Sequence, residues 1–374
     1  MRKKKTQIYV MTHKPFDVPK DPVYLPIHVG RKNFLAEHEG ENSPLLSYTG
    51  DDTGDNISAQ NCYFSELTGM YWVWKNTDAD YVGICHYRRY LLNERGFMFT
   101  EAEIQELLKK YDVITTKKLQ LNYPYYDGFA ANHKIGYLDV TEEVIRELHP
   151  DYYNTYERLV HEPHTYFGNM LIVDKKIFDS YMQWLFSILF EVQKRVKVEE
   201  EDSYHQRIFG FISEFLQYVW ITYEQLSVYE CMVGMLGEKA EVTEVKHRLS
   251  DYFAQGDYEG AKEFFLEAKR LRPDLLMEAS DVPGELHLCM EVIAIAGLEQ
   301  QAYGTNLLEG IREFDALMRY CNRLNSYVVQ ETRGQVDANL KKWYDEQRVT
   351  EVAHQVAKAV MESIKGEERI PMRG

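Results

Sequence analysis

From Gln7 onward the chain alternates short, wholly apolar runs with longer segments in which apolar residues recur every three or four positions. Gln7-Ile-Tyr-Val-Met11 is a run of the first kind. It predicts a buried strand that stops at Thr12-His13-Lys14-Pro15, because proline cannot donate to a central ladder. Residues 17–50 are rich in Pro, Gly and polar side chains. They predict an extended loop, with a short strand at Val23-Tyr-Leu-Pro-Ile-His-Val29. Asp51-Asp-Thr-Gly-Asp-Asn56 is a turn cluster with helix-starting character, since Asp and Asn oxygens accept the free N–H groups of a first helical turn. Tyr63, Leu67, Met70, Tyr71 and Trp74 then share one helical face that ends near Lys75-Asn76. Further strands are predicted at Asp80–Cys85, Asp112–Thr116 and Tyr166–Val173. Helices are predicted at Glu101–Lys110, Asp139–His149 and Lys175–Val192. The stretch from Gln120 to His133 reads as a polar, aromatic loop, and Arg207–Tyr229 as a helix apolar on most sides. Strands alternating with helices predict an α/β fold with a mostly parallel sheet flanked by helices.

The texture changes near Glu238, where strand signals vanish and helix formers dominate. The segment from Ser250 to Asp274 resembles one tetratricopeptide-like helix pair: a Gly-Asp-Tyr turn, an Ala-centred helix and a Pro stop. Further clear copies are absent, so a helical appendage is expected rather than a solenoid. The division is 1–237 for the α/β domain and 238–374 for an all-helical C-terminal region. Residues 335–365 read as further helix and the last nine as a loose tail.

Charge narrows the partners. The chain has 43 Lys and Arg against 59 Asp and Glu, a net charge of −16. Nucleic acid is disfavoured, because backbone affinity comes from clustered cations. The basic start Arg2-Lys3-Lys4-Lys5 can touch anionic lipid head groups, or is simply a charged terminus. No apolar stretch reaches membrane-spanning length, and no secretory signal follows the basic start. Five scattered cysteines without zinc spacing fit reduced thiols. A cytoplasmic location is expected, with contact at the inner face of the membrane. Tyrosine reaches 28, and such rings either line sugar and base pockets or pack half-buried.

Several residues carry candidate chemistry. His86-Tyr-Arg-Arg-Tyr90 follows a predicted central strand, where ligands of open α/β sheets bind. Arg88 and Arg89 suit a diphosphate, which guanidinium groups pair bidentately. The other reading is a set of structural salt bridges. Asp51, Asp52 and Asp55 offer oxygen ligands for Mg²⁺ or Mn²⁺, or form a solvated cap. Asn56 and Asn61 can hydrogen-bond a base or sugar, and His13 follows the first strand. Tyr126, His133 and Asn169 are sugar-contact candidates. Glu214 sits among Phe211, Ile212, Phe215 and Leu216, with Arg207 seven residues earlier. Without a partner its pKa rises, as a general base requires, although a structural salt bridge also answers. No P-loop, Rossmann fingerprint, HExxH or GxSxG motif is present.

Three segments together carry a resemblance. They are Asp55-Asn-Ile-Ser-Ala-Gln-Asn61, Glu66-Leu-Thr-Gly-Met-Tyr-Trp-Val-Trp-Lys-Asn76 and Gly83-Ile-Cys-His-Tyr-Arg-Arg-Tyr90. Asn169-Met-Leu-Ile, Tyr181–Phe190 and Arg207–Glu214 add to it. About residues 6–230 resemble the capsular-polysaccharide-type glycosyltransferase domain of bacterial surface-polysaccharide loci. That family was long filed as a domain of unknown function and includes galactosyl- and galactofuranosyltransferases. The resemblance implies a GT-A-like nucleotide-binding fold, a UDP-sugar donor and a growing glycan as acceptor, which may be lipid-linked in such loci. Inversion is the implied outcome. Arg88, Arg89 and His86 would hold the diphosphate, His13, Asp55, Asn56 and Asn61 would contact the donor, Arg207 would join the sugar contacts, and Glu214 or Asp52 would be the base. Where such enzymes carry an Asp-x-Asp metal motif, this chain has His86-Tyr-Arg88. Cationic side chains in place of the metal are therefore expected, with Mg²⁺ or Mn²⁺ at Asp51, Asp52 and Asp55 as the alternative. The helical tail lies outside the resemblance and would serve a homodimer or, in a non-catalytic reading, a docking module.

Overall fold

The computed structural model describes residues 4–237, 239–276, 281 and 283–368. The chain divides into two compact units, Met1–Leu236 and Gly237–Gly374. Arg2 and Lys3 of the basic start, and residues 369–374 of the expected tail, lie outside the described residues.

The first unit is built on strands β1 (Thr6–Thr12), β2 (Tyr24–His28), β3 (Thr49–Gly50), β4 (Tyr81–His86), β5 (Arg89–Leu92), β6 (Val113–Thr116), β7 (Leu119–Gln120), β8 (His164–Thr165), β9 (Leu171–Asp174) and β10 (Val228–Met235). Strands β3, β2, β1 and β4 lie side by side and parallel. Beyond β4 the sheet is mixed. β9 runs antiparallel to both β4 and β6, β10 is parallel to β6, and β5 is antiparallel to β10 and to β4. Strands β4, β5, β10, β6 and β9 thereby close into a ring of hydrogen-bonded neighbours. The expected mostly parallel sheet is corrected to a mixed one, wholly parallel only from β3 to β4. The cause is local: Tyr87-Arg88 turns the chain straight back at His86↔Arg89, and such a tight hairpin can only join antiparallel strands.

Alternation sorts the strand residues into two cores, since successive side chains leave opposite faces of a sheet. Tyr9, Met11, Val82, Ile84, Leu171 and Val173 join one cluster, and Ile8, Val10, Cys85, Met170 and Ile172 the other. Gly83 is required between them, because a Cβ there would lie 2.8 Å from the Ile8 side chain and 3.1 Å from Ile172. Helices cover the first face. The helices are α1 (Arg31–Glu37), α2 (Asn61–Phe64), α3 (Leu67–Asn76), α4 (Glu101–Leu107), α5 (Tyr125–Asn132), α6 (Gly136–Leu148), α7 (Pro150–Val160), α8 (Lys175–Arg195) and α9 (Ile208–Tyr223); α2, α3 and α5 to α9 supply buried residues to the first cluster, α4 supplies Ile104 to the second, and α1 buries none. α4 opens with a reciprocal capping box between Thr100 and Glu103. α9 is buried almost all round, as its composition predicts, but ends at Tyr223, and of the residues expected to continue it Val228 and Tyr229 begin β10. Two expected loops contain helices: α1 within 17–50 and α5 within 120–133.

Among the described residues, the second unit contains α10 (Ala240–Gln255), α11 (Tyr258–Leu271), α12 (Glu285–Tyr303), α13 (Phe314–Thr332), α14 (Ala338–Glu346) and α15 (Glu351–Glu368). The α10–α11 junction has a left-handed Gly256 and an Asp257 side chain that accepts from Gly260 N at 2.9 Å. The helix expected over 335–365 is two helices, separated near Arg348 with φ of 50°. Residues 366–368, expected as loose tail, belong to α15. Among the described residues, no helix is long and apolar enough to cross a membrane.

Candidate active site

The parallel strands β1 to β4 all end at one edge, and the loops leaving that edge build the site. Tyr87 N donates to Met11 O at 3.1 Å, which brings the β4–β5 hairpin beside the end of β1. His13 follows there, exposed, with its ring edge-on to Tyr87 at 5.5 Å. Arg88 is half-buried in the hairpin turn, and its carbonyl accepts from Leu236 N at 2.8 Å.

The centre of the site is the turn Gly168-Asn169, which enters β9. Gly168 has φ of 98° and Asn169, unusually for a residue with a Cβ, φ of 48°. Every polar group of this turn that bears on the site is engaged. Gly168 N donates to Glu214 Oε1 at 2.8 Å, and its carbonyl accepts from His86 Nε2 at 2.5 Å. Asn169 Nδ2 donates to Glu66 Oε1 at 2.7 Å and to Gly210 O at 3.1 Å, while Asn169 Oδ1 accepts from Ser213 Oγ at 2.9 Å. A second strained residue faces it. Ser65 has φ of 49° and ψ of −128°. Its carbonyl accepts from Asn61 Nδ2 at 2.7 Å, and its hydroxyl accepts from Arg207 Nε at 3.0 Å. Backbone strain of about 1–3 kcal/mol per residue persists only where neighbours over-determine the conformation, and it concentrates at functional sites.

The electrostatics follow from these contacts. Burial pushes the Glu214 carboxyl up to about 7, and the negative charge of Glu66 adds to the rise. The Gly168 N–H, Arg89 and Arg207 oppose it. Burial lowers the His86 imidazole, against the pull of Glu66, with Arg89 and Arg207 adding to the lowering. A carbonyl cannot donate, so the nitrogen facing Gly168 O carries the proton. In its neutral form the ring therefore keeps its lone pair on Nδ1. Nε2 is committed to the main chain, and Nδ1 is the ring nitrogen that Gly168 does not engage.

The structure thus unites His86, Arg89, Asn169, Arg207 and Glu214 around one turn. It adds Ser65, Glu66 and Gly168, to which the sequence reading assigns no chemistry. Glu66 resembles a helix-starting acid just ahead of α3. It occupies the N-cap position, yet its side chain makes no capping bond and reaches Asn169 instead. No sequence signal short of that tertiary contact separates the two uses.

Other candidates are placed elsewhere or occupied. Asp51 is fully buried and accepts from Gly30 N at 2.9 Å, Arg31 N at 3.2 Å, Ser58 Oγ at 2.5 Å and Thr68 Oγ1 at 2.6 Å. Asp52 lies 3.9 Å from Arg31 Nε, and Asp55 accepts from Tyr71 OH at 3.1 Å. These acids do not fit a cation as a set, and among the described residues no three His, Cys, Asp or Glu are grouped to hold one. Asn56 closes its own turn, with Nδ2 on Gly54 O and Oδ1 accepting from Ser58 N. Asn61 braces Ser65 and Thr68 rather than presenting its amide to a ligand. Tyr126 OH donates to Asp139. His133 stacks on Phe211 at 4.4 Å, and burial, with His205 nearby, lowers it to about 4.

The family model described as a domain of unknown function, DUF4422, matches residues 7–225. The chain belongs to that family. Its DUF4422 region contains every residue of the cluster, from Ser65 to Glu214. Among solved structures the chain is similar to the apo form of WbbM, a bifunctional glycosyltransferase, with 28% identity and a TM-score of 0.56. The similarity covers 63% of this chain and 46% of that one, so this chain spans less than half the length of WbbM. No curated protein matches the DUF4422 chain.

Proposed function

We propose that this chain is a GT-A-type glycosyltransferase that moves a hexosyl group from a UDP-sugar to a growing glycan. The observation that carries the reading is the convergence of Arg89, Arg207 and a half-buried Glu214, whose carboxyl burial raises to about 7, at the carboxyl edge of the sheet. Similarity to WbbM, a bifunctional glycosyltransferase, supports it. The donor's diphosphate pairs with Arg89 and Arg207, and with Arg88 at the hairpin tip, while His13 meets the nucleotide. As the bond to the leaving UDP breaks, these cations stabilise the charge it gains. Glu214 takes the proton of the attacking hydroxyl, whose oxygen bonds to the anomeric carbon, and inversion follows from one such displacement. A galactosyl or galactofuranosyl donor, a lipid-linked surface polysaccharide as acceptor, and action at the cytoplasmic membrane face complete the proposal.

The test is UDP release from a panel of UDP-sugars with an acceptor, with and without EDTA. Turnover of one donor that survives EDTA is expected. Loss of turnover restored by Mn²⁺ would remove the metal-free cationic clamp. If no UDP or UDP-sugar raises the melting temperature at millimolar concentration, the enzyme reading fails and the docking-module reading replaces it, since a ligand of the native state must stabilise it.

A further inference from the structure

Glu66 makes no capping bond, has one protein donor, and hangs on the same turn as the proposed base. We propose that Glu66 is a positioning residue: clamped by Asn169 on the Gly168-Asn169 turn that also holds Glu214 and His86, it sets the charge state of Glu214 and hence when that group can take the acceptor's proton. The inference rests on the glycosyltransferase reading for the identity of the proton donor, but the coupling between the two acids does not.

The geometry for this is closed on all sides. Glu214 faces Glu66 from the start of α3, Arg89 from the β4–β5 hairpin, and Arg207 from the turn before α9, while His86 meets the Gly168-Asn169 turn at Gly168 O. Tyr125 reaches Glu214 from α5, and the Gly168 N–H from the turn. Asn169 fixes one carboxylate through its side chain while its neighbour Gly168 fixes the other through the main chain. Ser213, adjacent to Glu214 on α9, locks the Asn169 amide with its oxygen toward Ser213 and its NH₂ toward Glu66. The two acids therefore cannot separate without breaking the turn. The negative charge of Glu66 makes the Glu214 carboxyl hold its own proton more tightly. Once Glu214 is ionised, the proton leaves the hydroxyl for Glu214 Oε, the hydroxyl oxygen bonds the anomeric carbon, and UDP departs with the bonding electron pair.

Two substitutions test the idea. Glu66→Gln keeps an oxygen for Asn169 Nδ2 and removes the charge, whereas Glu66→Asp keeps the charge and loosens the contact. The full-length protein, labelled with ¹³C at glutamate carboxyl carbons and assigned with Glu214→Gln, is titrated by NMR, with melting temperatures confirming that each variant is folded. The wild-type Glu214 midpoint is expected near 7. In Glu66→Gln it should fall by about half a pH unit or more, and in Glu66→Asp it should stay closer to the wild type. The acid limb of kcat/KM for the best UDP-sugar should move to lower pH with it. An unmoved midpoint in folded Glu66→Gln overturns the proposal, whatever the enzyme's activity. A moved midpoint with no UDP-sugar turned over upholds the coupling and removes the glycosyltransferase reading instead.

Discussion

Asp51 and the Glu66–Glu214 pair both place acids at the carboxyl edge of one sheet, yet they are used oppositely. Asp51 is fully buried, and four donors fill its lone pairs. It ties the start of α1 to Ser58 and Thr68, and nothing remains for a ligand. Glu66 and Glu214 are half-buried, and each accepts from a single protein donor. A carboxylate has about four acceptor sites, so both keep spare capacity beside two arginines. Saturation, rather than the mere presence of an acid in a loop, separates structural carboxylates from chemical ones here. Glu291 in the helical unit gives the contrasting case. Burial pushes it up to about 7, as it does Glu214, but among the described residues Asn325 Nδ2, at 2.7 Å, is the one donor that meets it, and no arginine contributes. A raised pKa without cations around it marks a buried acid, not a site.

The comparison is most sharply tested at Glu214. Glu214→Gln should lower kcat/KM for the UDP-sugar by about 10²–10⁴, the usual contribution of a general base, while UDP binding by calorimetry is retained. Equal loss of UDP affinity would place Glu214 with the structural acids. Asp51→Ala should act in the other direction, removing about 3–5 kcal/mol of stability in urea unfolding, because it strands buried donors that the carboxylate now satisfies. A stable Asp51→Ala protein with lost UDP binding would break the distinction.

The smallest effect is expected at Glu291, and its sign is set by linkage. Its folded-state value of about 7 lies above the ordinary carboxyl value near 4.5. The native state therefore holds a proton that the unfolded state releases, and stability falls as pH rises from about 4.5 to 7. Glu291→Gln removes that loss. It should stabilise the protein by about 1–3 kcal/mol at pH 8 and by almost nothing at pH 4, read from urea midpoints at the two values.

Much of the α/β unit is legible in the chain. Ile8–Met11, Val82–Cys85, Val113–Thr116 and Leu171–Val173 announce their strands because fully buried strands are short apolar runs. β5 and β10 are not legible. Arg89–Leu92 is hidden inside a polar motif, and half-exposed β10 lacks a clean apolar face. α5 holds Tyr125 and Phe129 on one buried stripe, but its Gly128 and Asn132 read as loop residues. Tertiary packing overrides that local preference. Of the candidate site, Arg89, Asn169, Arg207 and Glu214 are visible as costly polar residues in apolar company. Glu66 is not, since its role arises from a contact 103 residues away along the chain.

The ring of strands has a consequence for how the molecule is made. β9 enters between β4 and β6, and β10 closes the ring only after both are in place. A chain emerging from the ribosome carries the apolar edge of Val82 and Ile84 for some ninety residues before its partner arrives. Its pairings are distant in sequence, which slows folding and leaves that edge open to other chains. The turn at Gly168-Asn169 is synthesised just before that partner, and the helix bearing Glu214 only after it. A nascent chain is therefore prone to aggregate until nearly the whole first unit is complete, and assembly of the candidate site coincides with the burial of its last open strand edge.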